Sequence, residues 1–452
     1  MEMDNPYVLT EATVEEPPKR FFKKLRFLGP GFILSASIVG SGELIMTTQL
    51  GAEAGFVTLW VVLVSCLVKV AVQLEFGKHA INTGETSLAA FNRLPGLRIG
   101  RANWSIWLWL VLMVFKFFQV GGIVGGVAII LNMVFPALSI TLWALVSATV
   151  VALLVFRGKY GLIEKLSMVM IGLFTALTLI SLGMLQKTDF ALTWESVSSG
   201  LEFRLPHAVV ITALAAFGIT GVGGDEIMMY NYWLLEKGYA AKTGPRDGSE
   251  AWVRRAKGWI GIMYVDALLA MVAYTIVTVA FYLLGAAILH GQGLVPESTE
   301  IVETLSRMYT DTLGLGAKNV FLAGAFVVLF STLLSALAGW TRLFSDAWTQ
   351  ITKATFSDTK TRLRLVAILS WVIPFFWLGL FLWFQAPASM VVIGGVATSV
   401  ILLIVVFAAF HFRFRRLEED LKPSRFYDIA LFVSAAAIVA VGIYMAAKPF
   451  IH

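Results

Sequence analysis

The sequence predicts an all-α polytopic membrane protein: two inverted repeats of five helices, the first and sixth helices broken in the middle, followed by an eleventh helix. Three observations carry this reading. The 452 residues are 58% hydrophobic and only 14% charged, a balance foreign to ordinary soluble domains. Apolar runs of about 20 residues recur along most of the chain, each long enough to cross a hydrocarbon core of about 30 Å. Two of these runs are interrupted alike, at Gly40-Ser41-Gly42-Glu43 and at Gly221-Val222-Gly223-Gly224-Asp225-Glu226. Matched breaks in two halves point to the midplane site of a secondary transporter. The alternating segments of about ten residues that a β-barrel requires are absent from the sequence.

Taken in order, residues 1–26 form a polar N-terminus, expected to be mobile to residue 18, with Lys19, Arg20, Lys23, Lys24 and Arg26 leading into the membrane. Spans are expected at 27–54, 56–80, 104–134, 138–156, 161–185, 207–236, 257–289, 317–345, 363–383, 388–411 and 427–447. The first repeat is 27–185 and the second 186–411; residues 412–452 hold a loop, the eleventh helix and the C-terminus. Five helices per repeat make the second half run inverted.

Basic residues test the count. Arg93, Arg98 and Arg101, then Arg157 and Lys159, then Lys242, Arg246, Arg254 and Arg255 fall in alternate loops, whereas the loop 290–316 carries Glu297, Glu300, Glu303 and Asp311 against Arg307. Cytoplasmic loops are the Lys/Arg-rich ones. The N-terminus is therefore expected in the cytoplasm, the C-terminus outside, and the protein in the plasma (inner) membrane.

Glu43, Asp225 and Glu226 stand where helices break and backbone carbonyls are freed. Carboxylates with unpaired carbonyl oxygens suit a cation. Each acid could also simply cap the half-helix that follows it. Glu43 and Asp225 are the candidate metal ligands; Gly40, Ser41, Gly221, Gly223, Gly224 and Glu226 complete the candidate substrate site. Lys116 and Asp266, in the third and seventh spans, read as charges satisfied between helices or reaching a wet cavity. Lys69 and Glu75 read as meeting headgroups or each other. Trp104, Trp107 and Trp109 read as an interfacial belt, Pro374 and Gly394-Gly395 as helix kinks, and Met46, Met228 and Met229 as packing.

Gly29-Pro-Gly31, the first break and Gln49-Leu-Gly-Ala-Glu-Ala-Gly55 together resemble the first helix of the Nramp (SLC11) divalent-metal transporters, which have the LeuT fold. Asn82-Thr-Gly-Glu85, Leu131-Asn132, Phe156-Arg157 and Glu164-Lys165 resemble further stretches of that family. The resemblance implies a secondary transporter of divalent cations. The chain also departs from the family pattern. The metal-binding Asp falls on Gly40 and the Asn on Glu43, the Met-Pro-His stretch falls near Val222-Gly223-Gly224, and the acidic pair of the third span falls on Val120 and Ile123. Oxygen ligands without a thioether favour harder ions such as Mn²⁺ or Mg²⁺, and proton coupling is expected to be weak.

The net charge of +6 lies in alternate loops, which excludes a nucleic-acid face. The one cysteine, Cys66, excludes an intramolecular disulfide. No nucleotide loop or protease motif is present, so no enzyme and no cofactor is expected, the divalent cation being cargo. The expected partners are the lipid bilayer and a small ion or molecule. Two alternatives stay open: a transporter of a small organic substrate on the same fold, and a non-transporting membrane sensor.

Overall fold

The computed structural model describes residues 5–40, 42–295 and 317–447, with Thr304, Ser306 and Thr310. Eleven helical spans follow one another among these. Nine are long and apolar enough to cross a membrane, Ile140–Val155 is a shorter apolar helix, and the first span is divided by its break. The first comprises Pro30–Ile38, a π-helical turn Gly42–Thr47 and Thr48–Ala54. Leu59–Thr83, Trp104–Val134, Ile140–Val155 and Tyr160–Leu185 complete the first five. The sixth comprises Val210–Ile219 and Gly224–Glu236, and Glu250–Leu284, Ala317–Ile351, Thr359–Phe384, Pro387–His411 and Arg425–Ala447 follow. The protein is an integral membrane protein.

Side-chain caps fix where several spans begin. Asn103, Ser139, Ser249 and Asp358 each accept a backbone N–H from the first turn of the following helix. The Ser249 cap explains why the seventh span starts at Glu250 and not at 257. The first half-helix is capped from a distance: Asp266 of the seventh span accepts Gly29 N at 2.9 Å and Gly31 N at 2.7 Å. Pro30, between them, has no N–H to satisfy. Asp266 is thus a charge satisfied between helices, holding the first span to the seventh.

The broken spans cross-pair. Pro30–Ile38 packs against Gly224–Glu236, the second half of the sixth span, while Gly42–Thr47 packs against Val210–Ile219, the first half. The third and tenth spans run together beside them, and the eighth closes on the first.

Four expectations change. Residues 5–16 are docked, because their polar groups find tertiary partners: Tyr7 Oη donates to Glu236 Oε1 at 2.7 Å, Thr13 Oγ1 to the Ala241 carbonyl at 2.9 Å, and Trp259 Nε1 to the Glu15 carbonyl at 3.0 Å. Glu75 pairs with Lys78, whose ammonium also lies 4.0 Å from the Tyr427 ring centre, so Glu75 meets neither headgroups nor Lys69. Trp109 is buried on Phe344 and leaves the belt to Trp104 and Trp107. Gly394 and Gly395 admit Gln119 and Ile219 into contact with the tenth helix. Lys69 belongs to the sixth break, described next. The acidic positions Glu297, Glu300, Glu303 and Asp311 lie outside the described residues, as does Arg307.

Candidate functional site

The first break begins where Pro30–Ile38 ends. Val39 turns out of helix at φ −71°, ψ 79°, and Gly40 N donates to the Ile38 carbonyl at 2.7 Å. Carbonyls at a helix C-terminus have no partner within the helix. Here hydroxyls of the eighth span approach them: Ser331 Oγ lies 3.3 Å from Ala36 O, and Thr332 Oγ1 lies 3.4 Å from Ala36 O and 3.5 Å from Ser37 O. Contact is so close at Gly40 that a Cβ there would sit 1.8 Å from Thr332 Oγ1. Ser41 and the side chain of Glu43 lie outside the described residues; the Glu43 backbone belongs to the turn Gly42–Thr47.

The sixth break is served by two lysines. Val210–Ile219 ends in extended Thr220, Gly221 takes φ +65°, and Gly223 starts the next half-helix. Glycine is required at 221 twice over, by its φ and because a Cβ would stand 3.0 Å from Cys66 Cα. The Lys69 ammonium, from the second span, donates to the carbonyls of Phe217, Gly218 (3.2 Å) and Thr220 (2.7 Å). Ser65, a turn earlier, lies 2.8 Å from Phe217 O and 2.9 Å from Thr220 O, and accepts the Thr220 hydroxyl at 2.8 Å. A cation at this end also answers the negative pole of the half-helix.

Across the break, Asp225 sits in the first turn of Gly224–Glu236, where a negative charge is favoured. Lys116 Nζ of the third span lies 3.0 Å from Asp225 Oδ1, and Trp340 Nε1 of the eighth donates to Oδ2 at 3.0 Å. Lys116 also donates to Thr398 Oγ1 of the tenth span at 2.9 Å. Asp225 is 1% and Lys116 2% exposed, so this is a fully buried ion pair that ties spans three, six, eight and ten. Glu226, the next residue, interacts with Asp225 through its side chain, and its buried Oε2 lies above Gly223, where a Cβ would meet it at 2.2 Å. Gly224 lies against Ile401 of the tenth span.

The two breaks are thereby brought into one region, through the cross-pairing of their half-helices. Lys69, Trp340, Thr398, Ser331 and Thr332 were not among the residues singled out for the site. The signal for Lys69 was available, since a lysine at bilayer depth needs a partner; the hydroxyls and the indole carry no such mark. The methionines are packing: Met46, Met228 and Met229 are buried, Met229 against Gly339. Among the described residues no three His, Cys, Asp or Glu side chains converge as a metal cluster.

The chain matches the family described as natural resistance-associated macrophage protein-like (Nramp) over residues 31–448. It is 26% identical over 347 residues to an uncharacterised protein of Pasteurella multocida, covering 74% of this chain and 73% of that one. To a divalent metal cation transporter, MntH, of Xanthomonas campestris pv. campestris it is 25% identical over 325 residues, covering 71% and 68%. Its fold superposes on a manganese transporter of Eremococcus coleocola with TM-score 0.69 at 15% identity, covering 98% of this chain and 91% of that one. A nucleobase-cation-symport-1 family transporter, Mhp1, superposes with TM-score 0.56 at 12% identity, covering 97% and 96%. The broken first and sixth helices, their cross-pairing and the match along nearly the whole chain lead to one conclusion: this protein belongs to the Nramp family and has the LeuT-type fold.

Proposed function

We propose that the protein is a secondary transporter of divalent cations, working by alternating access around the two breaks, with Glu43 and Asp225 as the principal acids and Gly40, Ser41, Gly221, Gly223, Gly224 and Glu226 completing the site. The observation that carries this is the meeting of the two broken spans, which brings their helix ends, and Asp225 with them, to one region. A carboxylate offers about four lone-pair positions; Trp340 takes one on Oδ2 of Asp225, and the Lys116 ammonium pairs with Oδ1 by charge. Capacity for a ligand remains there, and the second acid, Glu226, stands beside it.

The ion is a hard one. At the sixth break Val222-Gly223-Gly224 occupies the stretch, and Met229 lies against Gly339. Oxygen ligands favour Mn²⁺ or Mg²⁺ over softer ions. The reading includes no enzymatic activity, a plasma-membrane location and, from the pattern of basic loops, a cytoplasmic N-terminus and an external C-terminus. It is tested by uptake of radioactive Mn²⁺ into proteoliposomes, with Mg²⁺ and Cd²⁺ as competitors. Uptake above empty vesicles that Glu43→Gln removes supports it; no uptake of any divalent ion, with a small organic solute taken up instead, replaces it with the organic-substrate alternative.

A further inference from the structure

We propose that Lys116 is a resident counter-cation, standing in for the substrate ion on Asp225 while the carrier is empty and yielding that carboxylate when the ion binds. The inference rests on the transport reading above and adds the residue that makes the empty state able to cross back.

A carrier that moves a cation must reorient with the ion and return without it. On the return, any acid that held the ion is left facing a low-dielectric interior with no partner, and a bare carboxylate there is strongly disfavoured. In this structure Asp225 is not bare: the Lys116 ammonium is on Oδ1 at 3.0 Å. Its anchorage is light. Apart from Asp225, its ammonium bonds among the described residues to the Thr398 hydroxyl at 2.9 Å, and Thr398 in turn donates to the carbonyl of Gly394 at 2.9 Å. The Lys69 ammonium contrasts with it, being held by three backbone carbonyls of the sixth break, as a fixed clamp would be. Lysine suits the stand-in role, since its ammonium is a compact charge on a flexible four-carbon stem.

Electrostatics makes the two occupancies exclusive. A divalent ion bound to Asp225 would lie within a few ångströms of the ammonium, and like charges at that separation repel strongly where the dielectric is low. Trp340 keeps Oδ2 in place in either state, so the carboxylate need not move when its cation changes.

The test separates two modes of transport in proteoliposomes containing the full chain, with Mn²⁺ as the probe. Exchange of trapped for external Mn²⁺ needs only the loaded carrier; net uptake into Mn²⁺-free vesicles also needs the empty one to return. Lys116→Met is expected to lower net uptake at least tenfold more than exchange, and Lys116→Arg, which keeps the charge, to bring the ratio back towards that of the unmodified protein. Equal losses in both modes by folded Lys116→Met, or net uptake undiminished, would overturn the proposal. Should Lys116→Met not fold, Lys116→Gln takes its place, keeping a donor for Asp225 without the charge. Failure of both neutral variants to fold while Lys116→Arg folds makes the pair a structural tie and overturns it too. Absence of both modes in the unmodified protein is a different failure, that of the transport reading itself.

Discussion

At the scale of single residues, Asp225 and Glu43 should behave differently when neutralised. Asp225 shares a buried ion pair, and removing one partner of such a pair typically costs about 3–5 kcal/mol because the other charge is left uncompensated. Asp225→Asn is therefore expected to lose transport and stability together, with the cost in this range. Glu43→Gln should lose transport at nearly unchanged stability, since the amide keeps the length of the side chain and a hydrogen-bond acceptor without the charge. Thermal unfolding beside uptake checks both; an Asp225→Asn protein as stable as its parent would mean that Lys116 finds another counter-charge. The pairing itself was not legible in the sequence. Positions 116, 225, 340 and 398 are joined only by the packing of four spans, and nothing in local spacing relates them. The acid could be located at the break because glycines and a carboxylate in an apolar run are a local pattern.

At the scale of elements, the first break is held open by a steric condition. Gly40 fits beneath Thr332 only because it has no side chain. Gly40→Ala should therefore push the eighth span away from the first and impair uptake at least tenfold, and Thr332→Ala, by removing Oγ1, should restore part of it. Uptake assays of the two singles and the double measure the coupling; additive losses would place the effect of Gly40 elsewhere. Most span boundaries were readable beforehand, because a run of apolar residues ends where charge or a capping residue begins: Trp104–Val134 coincides with its expected range, preceded by the Asn103 cap. The seventh was misjudged because Arg254, Arg255 and Lys257 look like loop in sequence, whereas the Ser249 cap starts a helix that carries them beyond the apolar stretch.

At the scale of the whole molecule, the N-terminal segment is a strap across the end of the bundle where the sixth and eighth spans finish and the seventh begins. Tyr7 meets Glu236, which also receives Arg342 of the eighth span through Nε at 2.7 Å and Nη2 at 2.9 Å. The polar composition of residues 5–16 gives no hint of this order, which comes wholly from partners distant in the chain. A hydrogen bond to a charged group contributes about 1.5–3 kcal/mol. Tyr7→Phe should lower stability by about that much and speed hydrogen exchange in 236–243, read by mass spectrometry; unchanged exchange would mean that the segment lies on this face without holding it.

The central claim is that one hard divalent ion binds where the two broken spans meet. Calorimetric titration of the purified protein with Mn²⁺, Mg²⁺ and Cd²⁺, repeated on Glu43→Gln, tests it most directly. The account predicts saturable binding of about one Mn²⁺ per chain, Cd²⁺ no tighter than Mn²⁺, and loss of binding in the variant. Tight Cd²⁺ binding with none for Mn²⁺ or Mg²⁺, or Mn²⁺ binding that Glu43→Gln leaves intact, would contradict it.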